Sequence, residues 1–201
     1  MAQGFDTTQN VTSKLADLKA AGMDFVGRYL SQSHWKVVTP AEAAAIAQAG
    51  LGLVLVYEDG STSAGYFSTD RGQEDGNRAL QQAGLVGAPA GTTIYFAVDY
   101  DATAADVSGP VTAYFQGVVQ SFQAGGGTGF AVGVYGSGAT CGAITGANLA
   151  ARGWLSQSRG WRGYAGYSGW SIRQGPSTVL AGLSVDTDEA TGDYGAIPPA
   201  G

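Results

Sequence analysis

The sequence predicts a single domain over residues 1–201, an α/β protein folded as a compact parallel (β/α)8-type barrel. Apolar segments alternate with stretches of helical character, which is the pattern of a parallel sheet. Four apolar segments run into acids at their C-terminal ends, at Asp6, Glu58, Asp99 and Asp186. In a closed parallel barrel the C-terminal strand ends meet on one face, where active sites lie. We therefore expect Asp6, Asp99, Asp101 and Asp186 to surround one cleft there. The facing of Glu58 cannot be read, because its strand is apolar throughout.

The first elements have strong local signals. Residues 11–21 place three aliphatic side chains on one helical face and stop at Gly22. They lie between brief strands at residues 3–6 and 25–30. Thr39 fits an N-cap, with proline next, and its helix runs to Gly50. Strand three, up to Tyr57, is continuously apolar, as buried parallel strands are.

The middle of the chain repeats the alternation. Longer helices are predicted over residues 70–85 and 107–123, on either side of strand 93–98. Residues 125–129 are almost all glycine and predict a flexible turn. Strand five follows at residues 130–135.

The last third has weaker signals. A helix of small residues is expected over 139–150, and short strands at 154–156 and 170–174. The glycine- and aromatic-rich loop between those strands has little room for a helix, so helices here are expected to be short or missing. Strand eight is placed at 183–186, and residues 192–201 are expected to form a loose tail.

Composition excludes several classes of protein. A net charge of −6 argues against nucleic acid and against an anionic membrane surface as partners. One cysteine excludes an internal disulfide, and no apolar run is long enough to span a membrane. The N-terminus lacks a charged-then-apolar signal segment.

The segment Ile94–Asp101 carries the clearest chemical signal. If it is a strand, its alternating side chains put Asp99 and Asp101 on the same side. Paired carboxylates at a strand end are what cleavage of a glycosidic bond uses, one as acid and one as stabiliser or base. The alternative is a strand that runs out into a solvated, aspartate-rich turn.

Other catalytic chemistries find little support. His34 is the only histidine and Cys141 the only cysteine, so no zinc site of the usual ligands can be assembled. A Ser-His-Asp triad would need His34 as its base, and no Gly-x-Ser-x-Gly elbow is present. The turn at residues 136–138 lacks the third glycine of a dinucleotide site. We expect no cofactor and no metal.

Four motifs carry a family resemblance: Gly4–Asp6, Gly27–Leu30, Ile94–Asp101 and Val132–Gly136. They resemble the glycoside-hydrolase-like barrel domain found in actinobacterial secreted proteins and phage lysins. That family is similar to the family 25 lysozymes, muramidases that cut the glycan of peptidoglycan. The resemblance covers nearly the whole chain, with its motifs in the same order, and implies a barrel that acts on peptidoglycan.

The resemblance also implies residue roles. Asp6 and Asp186 match acids on strands one and eight of the lysozymes, and Asp99 and Asp101 match their Asp-x-Glu pair. Asp101 would be the general acid, and Asp99 would stabilise the developing cation or orient the acetamido group of the substrate. This chain departs from the lysozymes in having Asp101 where they have Glu. The shorter arm puts turnover in doubt, because proton transfer depends closely on geometry.

Further residues are expected to contact substrate. The acids among them are Asp6, Asp186 and Glu58, and the aromatic residues are Tyr57, Tyr135, Trp154 and Trp170. The aromatic rings lie at or near strand ends, where they could stack on sugars or simply pack in the core. Arg28, the one basic residue inside a predicted strand, is expected to form a structural ion pair with a neighbouring strand-end acid.

Three functions remain open. The first is a muramidase-type hydrolase of peptidoglycan, with a phage endolysin as one form. The second is a carbohydrate- or wall-binding barrel without turnover, and the third is a divalent-metal phosphodiesterase. We expect a monomer that works outside the cell or at the cell wall, either made without a signal or with its signal removed.

Overall fold

The computed structural model describes residues 1–124 and 129–200, and its strands close into one eight-stranded barrel in chain order. The strands are β1 (Ala2–Asp6), β2 (Phe25–Leu30), β3 (Gly52–Tyr57), β4 (Thr93–Ala97), β5 (Ala131–Gly136), β6 (Arg152–Leu155), β7 (Trp170–Leu180) and β8 (Leu183–Ala190). The barrel fold expected from the sequence is confirmed. The expected turn at 125–129 falls on residues 125–128, which lie outside the described residues.

Helices cover the outside of the barrel. They are α1 (Leu15–Ala20), α2 (Pro40–Gln48), α3 (Thr69–Leu85), α4 (Ala104–Asp106), α5 (Thr112–Ala124) and α6 (Gly138–Gly146). Thr39 caps α2 as expected, because its side chain accepts a hydrogen bond from the amide of Glu42. Beyond α6, the described residues contain only one short 3-10 turn, so helices are short or missing in the last third, as predicted.

The predicted helix over 107–123 is interrupted at its start. Residues Val107–Val111 form a wide π turn between α4 and α5. Pro110 has no amide to donate, and Gly109 adopts a non-helical conformation. The regular helix therefore begins only at Thr112.

Strand eight runs in the opposite direction from the one predicted. Neighbours from β1 to β7 are parallel, whereas β8 is antiparallel to both β7 and β1. Ala181 and Gly182, with φ of 51° and 82°, form a two-residue hairpin turn between β7 and β8. A parallel connection would need about a dozen residues. Asp186 nevertheless pairs with Asp6, because β8 enters the barrel from the end at which β1 leaves it.

The barrel interior is filled by a small set of apolar side chains. Phe25, Val54, Tyr95 and Ile172 belong to this inner cluster, with Trp154 above them. Gly27 leaves room for the indole, because a Cβ there would lie 2.8 Å from Trp154. Burial of these side chains supplies the main driving force for closing the barrel.

Glycines also allow α3 and α5 to pack closely. A Cβ on Gly72 would lie 2.0 Å from the carbonyl oxygen of Tyr114, and one on Gly117 would lie 2.1 Å from that of Thr69. The two helix backbones therefore touch without intervening side chains.

The C-terminal segment is not the loose tail expected from its composition. Ile197 exchanges two backbone hydrogen bonds with Leu53, and the amide of Thr93 donates to the carbonyl of Gly195 at 2.8 Å. The ring of Tyr194 packs on Phe25 with centroids 4.9 Å apart. The segment closes the N-terminal end of the barrel, where it satisfies backbone groups and covers apolar surface that would otherwise face water.

Candidate functional site

Four carboxylates line one cleft at the end of the barrel at which β1 to β7 terminate. Asp6 is the last residue of β1, and Asp186 lies in β8. Glu58 and Asp99 come just after β3 and β4. The cleft has a volume of about 270 Å³. Its other lining residues are Tyr29, Val56, Ala97, Tyr135, Trp154, Ser156, Gln157, Ser158 and Gln174. Of the four acids predicted to surround one cleft, the structure brings Asp6, Asp99 and Asp186 together and leaves Asp101 out; Glu58, whose facing could not be read from the sequence, is the fourth.

Strand alternation explains why Glu58 reaches the cleft. Val54 and Val56 point into the barrel, so Glu58 continues the same face. Tyr57 must then point outward, and its hydroxyl donates to Asp59 at 2.7 Å and lies 3.1 Å from Asp75. Tyr57 therefore does not line the cleft, because adjacent strand residues face opposite ways.

Asp6 is the most enclosed of the four acids. Its two oxygens accept hydrogen bonds from the hydroxyl of Tyr29 at 2.9 Å and from Nε2 of Gln174 at 2.8 Å. The same amide lies 3.3 Å from Asp186, so Gln174 bridges the two acids. Burial, with a contribution from the negative charge of Asp186, raises the pKa of Asp6 to about 7.

Asp99 has the freest carboxyl group in the cleft. Within residues 1–124 and 129–200 no side chain or backbone group forms a hydrogen bond to its carboxyl oxygens; only its amide is engaged, with the carbonyl of Ser61. Burial raises the pKa of Asp99, and the negative charges of Glu58 and Asp186 raise it further. A carboxyl group that holds its proton and faces open space is suited to donate that proton to a ligand.

A buried lysine balances part of this negative charge. Nζ of Lys36 lies 3.1 Å from Oε2 of Glu58 and 5.0 Å from the centre of the Tyr29 ring. Lys36 is only 7% exposed, so the pair lies in a poorly hydrated place where charges interact strongly. The ammonium group of Lys36 is thus paired with Glu58, which lines the cleft together with Asp99.

A fifth acid lies beneath the cleft floor. Oδ1 of Asp188 accepts a hydrogen bond from the indole of Trp154 at 3.0 Å, and the whole residue is buried. Burial and the nearby charge of Asp6 raise the pKa of Asp188 well above its ordinary value. The carboxyl group of Asp188 is thus held in its neutral form next to Asp6.

Asp101 lies outside the cleft, contrary to the expectation that it shares the site with Asp99. Its carboxylate accepts hydrogen bonds from the amide of Arg162 at 2.8 Å and from its guanidinium at 2.7 Å. Strand β4 already ends at Ala97, so the alternation that would have aligned the two acids no longer applies. Asp101 therefore joins its own loop to the loop that carries Arg162, and its carboxylate does not face a ligand in the cleft.

The remaining aromatic candidates divide between the two ends of the barrel. Trp154 and Tyr135 line the cleft, and the Tyr135 hydroxyl donates to Gln174 at 2.9 Å. Trp170 begins β7, so it lies at the end opposite the cleft, with the Arg173 guanidinium 4.9 Å above its ring. Trp170 is therefore not part of the cleft to which the sequence prediction assigned it.

Arg28 forms a structural ion pair as expected, but with a helix residue. Its guanidinium bonds both oxygens of Glu42 in α2, with Nε to Oε1 at 2.9 Å. Oε1 of Glu42 also accepts a hydrogen bond from the amide of Val11 at 2.9 Å. The side chains of Arg28 and Glu42 are both buried. The expected partner was a strand-end acid. The pair instead joins β2, α2 and the segment after β1.

Sequence reasoning missed the polar residues that contact the acids of the cleft. These are Tyr29 and Gln174 in its lining and Lys36, which pairs with Glu58. Tyr29 and Gln174 both lie in predicted strands that face the acids, so strand alternation could have flagged them as inward-pointing. Lys36 is different, since it lies in an irregular loop after β2 and reaches Glu58 across 22 positions of sequence. No local pattern marks such a contact.

Two general features of the molecule bear on its class. In the part of the chain that the structure describes, no three His, Cys, Asp or Glu side chains are grouped so as to hold a metal ion. No described helix has the length and apolar character needed to cross a membrane.

Comparison with known proteins agrees with the fold. The chain is 30% identical to the uncharacterized protein FadG of Bacillus subtilis over an alignment of 201 positions. The alignment covers 93% of this chain and 35% of FadG. The Tat-secreted protein Rv2525c of Mycobacterium tuberculosis, solved with L-tartrate, superimposes with a TM-score of 0.82 at 19% identity over 97% of this chain and 98% of that one.

A lytic enzyme is a more distant structural relative. The modular autolysin LytC of Streptococcus pneumoniae, solved with a synthetic peptidoglycan ligand, has a TM-score of 0.58 at 11% identity, over 93% of this chain and 46% of LytC. At such identities the likeness concerns the fold. Residues 16–196 match the family model described as Rv2525c-like, glycoside hydrolase-like domain. This chain spans about a third of FadG, and it belongs to the Rv2525c-like family of glycoside hydrolase-like domains.

Proposed function

We propose that the protein is a glycosidase of muramidase type that cleaves the glycan strands of peptidoglycan, with Asp99 as proton donor. The observation that carries this proposal is the unpartnered carboxyl group of Asp99 beside the ion-paired Glu58 in one cleft. Cleavage of a glycosidic bond needs a protonated acid for the leaving oxygen and a carboxylate near the developing cation.

The two roles follow from the two environments. Burial and neighbouring negative charge raise the pKa of Asp99, which favours its protonated form. Glu58, next to the ammonium of Lys36, is the carboxylate that stabilises positive charge at the anomeric carbon. Pairs of acids whose surroundings separate their proton affinities are the usual basis of such catalysis. Asp6 and Asp186, bridged by Gln174, would hold sugar hydroxyl groups beside them.

Peptidoglycan is proposed as substrate because of the family and the fold. The family is glycoside-hydrolase-like, and the structurally similar LytC was solved with a synthetic peptidoglycan ligand. Rv2525c is Tat-secreted, which supports a place of action outside the cytoplasm for this chain as well. We propose that it acts there as a monomer, as a wall-modifying enzyme or as a lysin.

One observation favours a second candidate, a glycan-binding barrel without turnover. The position that matches the catalytic Glu of the lysozymes is Asp101, and Arg162 holds it away from the cleft. If no other acid has taken over proton donation, the cleft would bind glycan and leave it intact. The proposal therefore depends on Asp99 having that role.

A pair of identical substitutions two residues apart tests the proposal. Purified peptidoglycan is incubated with the parent protein, Asp99→Asn and Asp101→Asn, and new reducing ends are counted. Loss of general acid catalysis is worth roughly 10²- to 10⁴-fold, so Asp99→Asn should be nearly inactive. Asp101→Asn should keep most of the activity. No reducing ends from the parent, with binding retained, would favour the glycan-binding barrel.

A further inference from the structure

A second cavity of about 450 Å³ adjoins the cleft and is not used by the proposed chemistry. It is called the hairpin cavity here, and it is lined by Asp6, Thr7, Thr8, Tyr29, Ser177, Thr178, Ser184, Val185 and Asp186. Asp6, Tyr29 and Asp186 also line the cleft, so the two spaces share a wall. A chain-like ligand could therefore extend from one space into the other.

One wall of the hairpin cavity projects beyond the barrel. Pairing of β6 with β7 stops at Arg173, and pairing of β8 with β1 begins only at Asp186. The β7–β8 hairpin beyond these points, residues 177–185, is paired only with itself. It rises over the end of the barrel at which the cleft opens and forms a side of the cavity.

The wall is fixed in place by contacts with the segment after β1. The hydroxyl of Thr7 donates to the carbonyl of Ser184 at 2.8 Å, and the amide of Ser184 donates to Oε1 of Gln9 at 2.8 Å. The cavity therefore exists before any ligand arrives. A preformed site spares a ligand the entropy cost of ordering loops.

The chemistry of the lining is that of a site for hydroxyl groups. Among the described residues, none forms a hydrogen bond with the side-chain hydroxyls of Thr8, Thr178 or Ser184. These groups can each donate and accept, as sugar hydroxyls and acetamido groups also can. An extended sugar could satisfy several of them at once.

The charge of the lining determines which sugar fits. Asp6 and Asp186 are its only ionisable acids, and the described lining contains no lysine, arginine or histidine. An anionic substituent would meet like charge with no cation in the described lining to offset it, which is unfavourable. An uncharged sugar would avoid this repulsion.

We propose that the hairpin cavity is a second saccharide subsite, which holds an uncharged sugar unit of the glycan next to the unit in the cleft. The inference rests on the proposed action on glycan strands. It adds that the cavity prefers a sugar such as N-acetylglucosamine to one that bears a free lactyl carboxylate. The glycan would then run across β1 and β8, from the cleft into the hairpin cavity.

Binding measurements can test the subsite without relying on turnover. Calorimetric titration compares a neutral N-acetylglucosamine tetrasaccharide with a peptide-free peptidoglycan tetrasaccharide, which carries lactyl carboxylates. The double variant Thr178→Val/Ser184→Ala removes two free hydroxyls and should bind the neutral chain about tenfold more weakly. The control, Thr191→Val/Ser171→Ala, makes the same changes at the opposite end of the barrel. It should bind as the parent does.

A charge variant tests the selectivity independently. Thr178→Lys should improve binding of the carboxylate-bearing chain relative to the neutral one, while Thr191→Lys should leave the ratio unchanged. The proposal is overturned if the parent binds neither chain, or if both Thr178 variants bind like the parent. Should the parent bind with this dependence yet release no reducing ends, the hydrolase proposal fails and the subsite stands.

Discussion

Replacing Asp6 with asparagine should stabilise the protein at neutral pH, because the native fold encloses a carboxyl group that resists ionisation. Burial raises the pKa of Asp6 from 3.8 to about 7. The folded chain then binds more protons than the unfolded chain between these two values. Stability that is fully present below pH 3.8 is lost as the pH rises towards 7.

The size of the effect follows from the two pKa values. Each tenfold change in proton affinity corresponds to about 1.4 kcal/mol. The cost of ionising Asp6 is then roughly 2 kcal/mol at pH 5 and roughly 4 kcal/mol at pH 8. Asparagine cannot ionise, so Asp6→Asn should recover up to this amount. The gain is an upper limit, since the amide must rearrange the hydrogen bonds to Tyr29 and Gln174.

Urea unfolding of parent and variant at pH 5 and pH 8 measures this directly. The difference in free energy of unfolding should favour Asp6→Asn and should grow between the two pH values. Asp17→Asn, on the exposed face of α1, serves as the control and should show no such growth. A difference that is independent of pH, or a parent that is the more stable at pH 8, would refute the reasoning.

Three other outcomes are expected. Glu42→Gln leaves the buried Arg28 guanidinium without its counter-charge and should cost about 3–5 kcal/mol in urea unfolding; an unchanged midpoint would contradict this. Gly72→Ala forces a methyl group against the carbonyl of Tyr114 and should lower the melting temperature clearly, whereas Gly84→Ala on the same helix has open space and should not. EDTA should leave glycan cleavage unchanged, because the described residues offer no metal-holding group; inhibition reversed by added metal would contradict this.

The acids of the cleft could be predicted because they follow a simple rule of parallel barrels. Asp6, Glu58 and Asp99 each follow an apolar run, and the C-terminal ends of such runs meet on one face. The same reasoning failed for Asp101 because β4 ends at Ala97, four residues before it, so strand alternation does not extend that far. Strand ends are set by where neighbouring hydrogen bonds cease, which local sequence does not determine.

The direction of β8 was within reach of sequence reasoning. Only eight residues separate the predicted strands seven and eight, too few for a parallel crossover of about a dozen. The hairpin turn at Ala181 was missed because alanine seldom adopts a positive φ. The ordered C-terminal segment was missed for another reason, since its contacts with Leu53 and Thr93 are distant in sequence.

The contacts that tune the cleft are also long-range. Lys36 meets Glu58 from an irregular loop, and Gln174 meets Asp6 from the far end of the chain. The Gln174–Asp6 pair depends on barrel closure, which places β8 between β7 and β1, whereas the Lys36–Glu58 pair joins the segments that follow the neighbouring strands β2 and β3. The sequence could predict that Asp6, Asp99 and Asp186 share the cleft. Strand alternation could also have marked Gln174 as inward-pointing, but no local pattern marks its contact with Asp6 or the contact of Lys36 with Glu58.

The most direct test of Asp99 as proton donor is a substrate that does not need the proton. A 2,4-dinitrophenyl glycoside of the peptidoglycan disaccharide releases a stable phenolate without help from an acid. Asp99→Asn should cleave this glycoside at close to the parent rate while losing roughly 10²-fold or more on peptidoglycan. Equal losses on both substrates, or this selective pattern in Asp101→Asn instead, would contradict the assignment of Asp99.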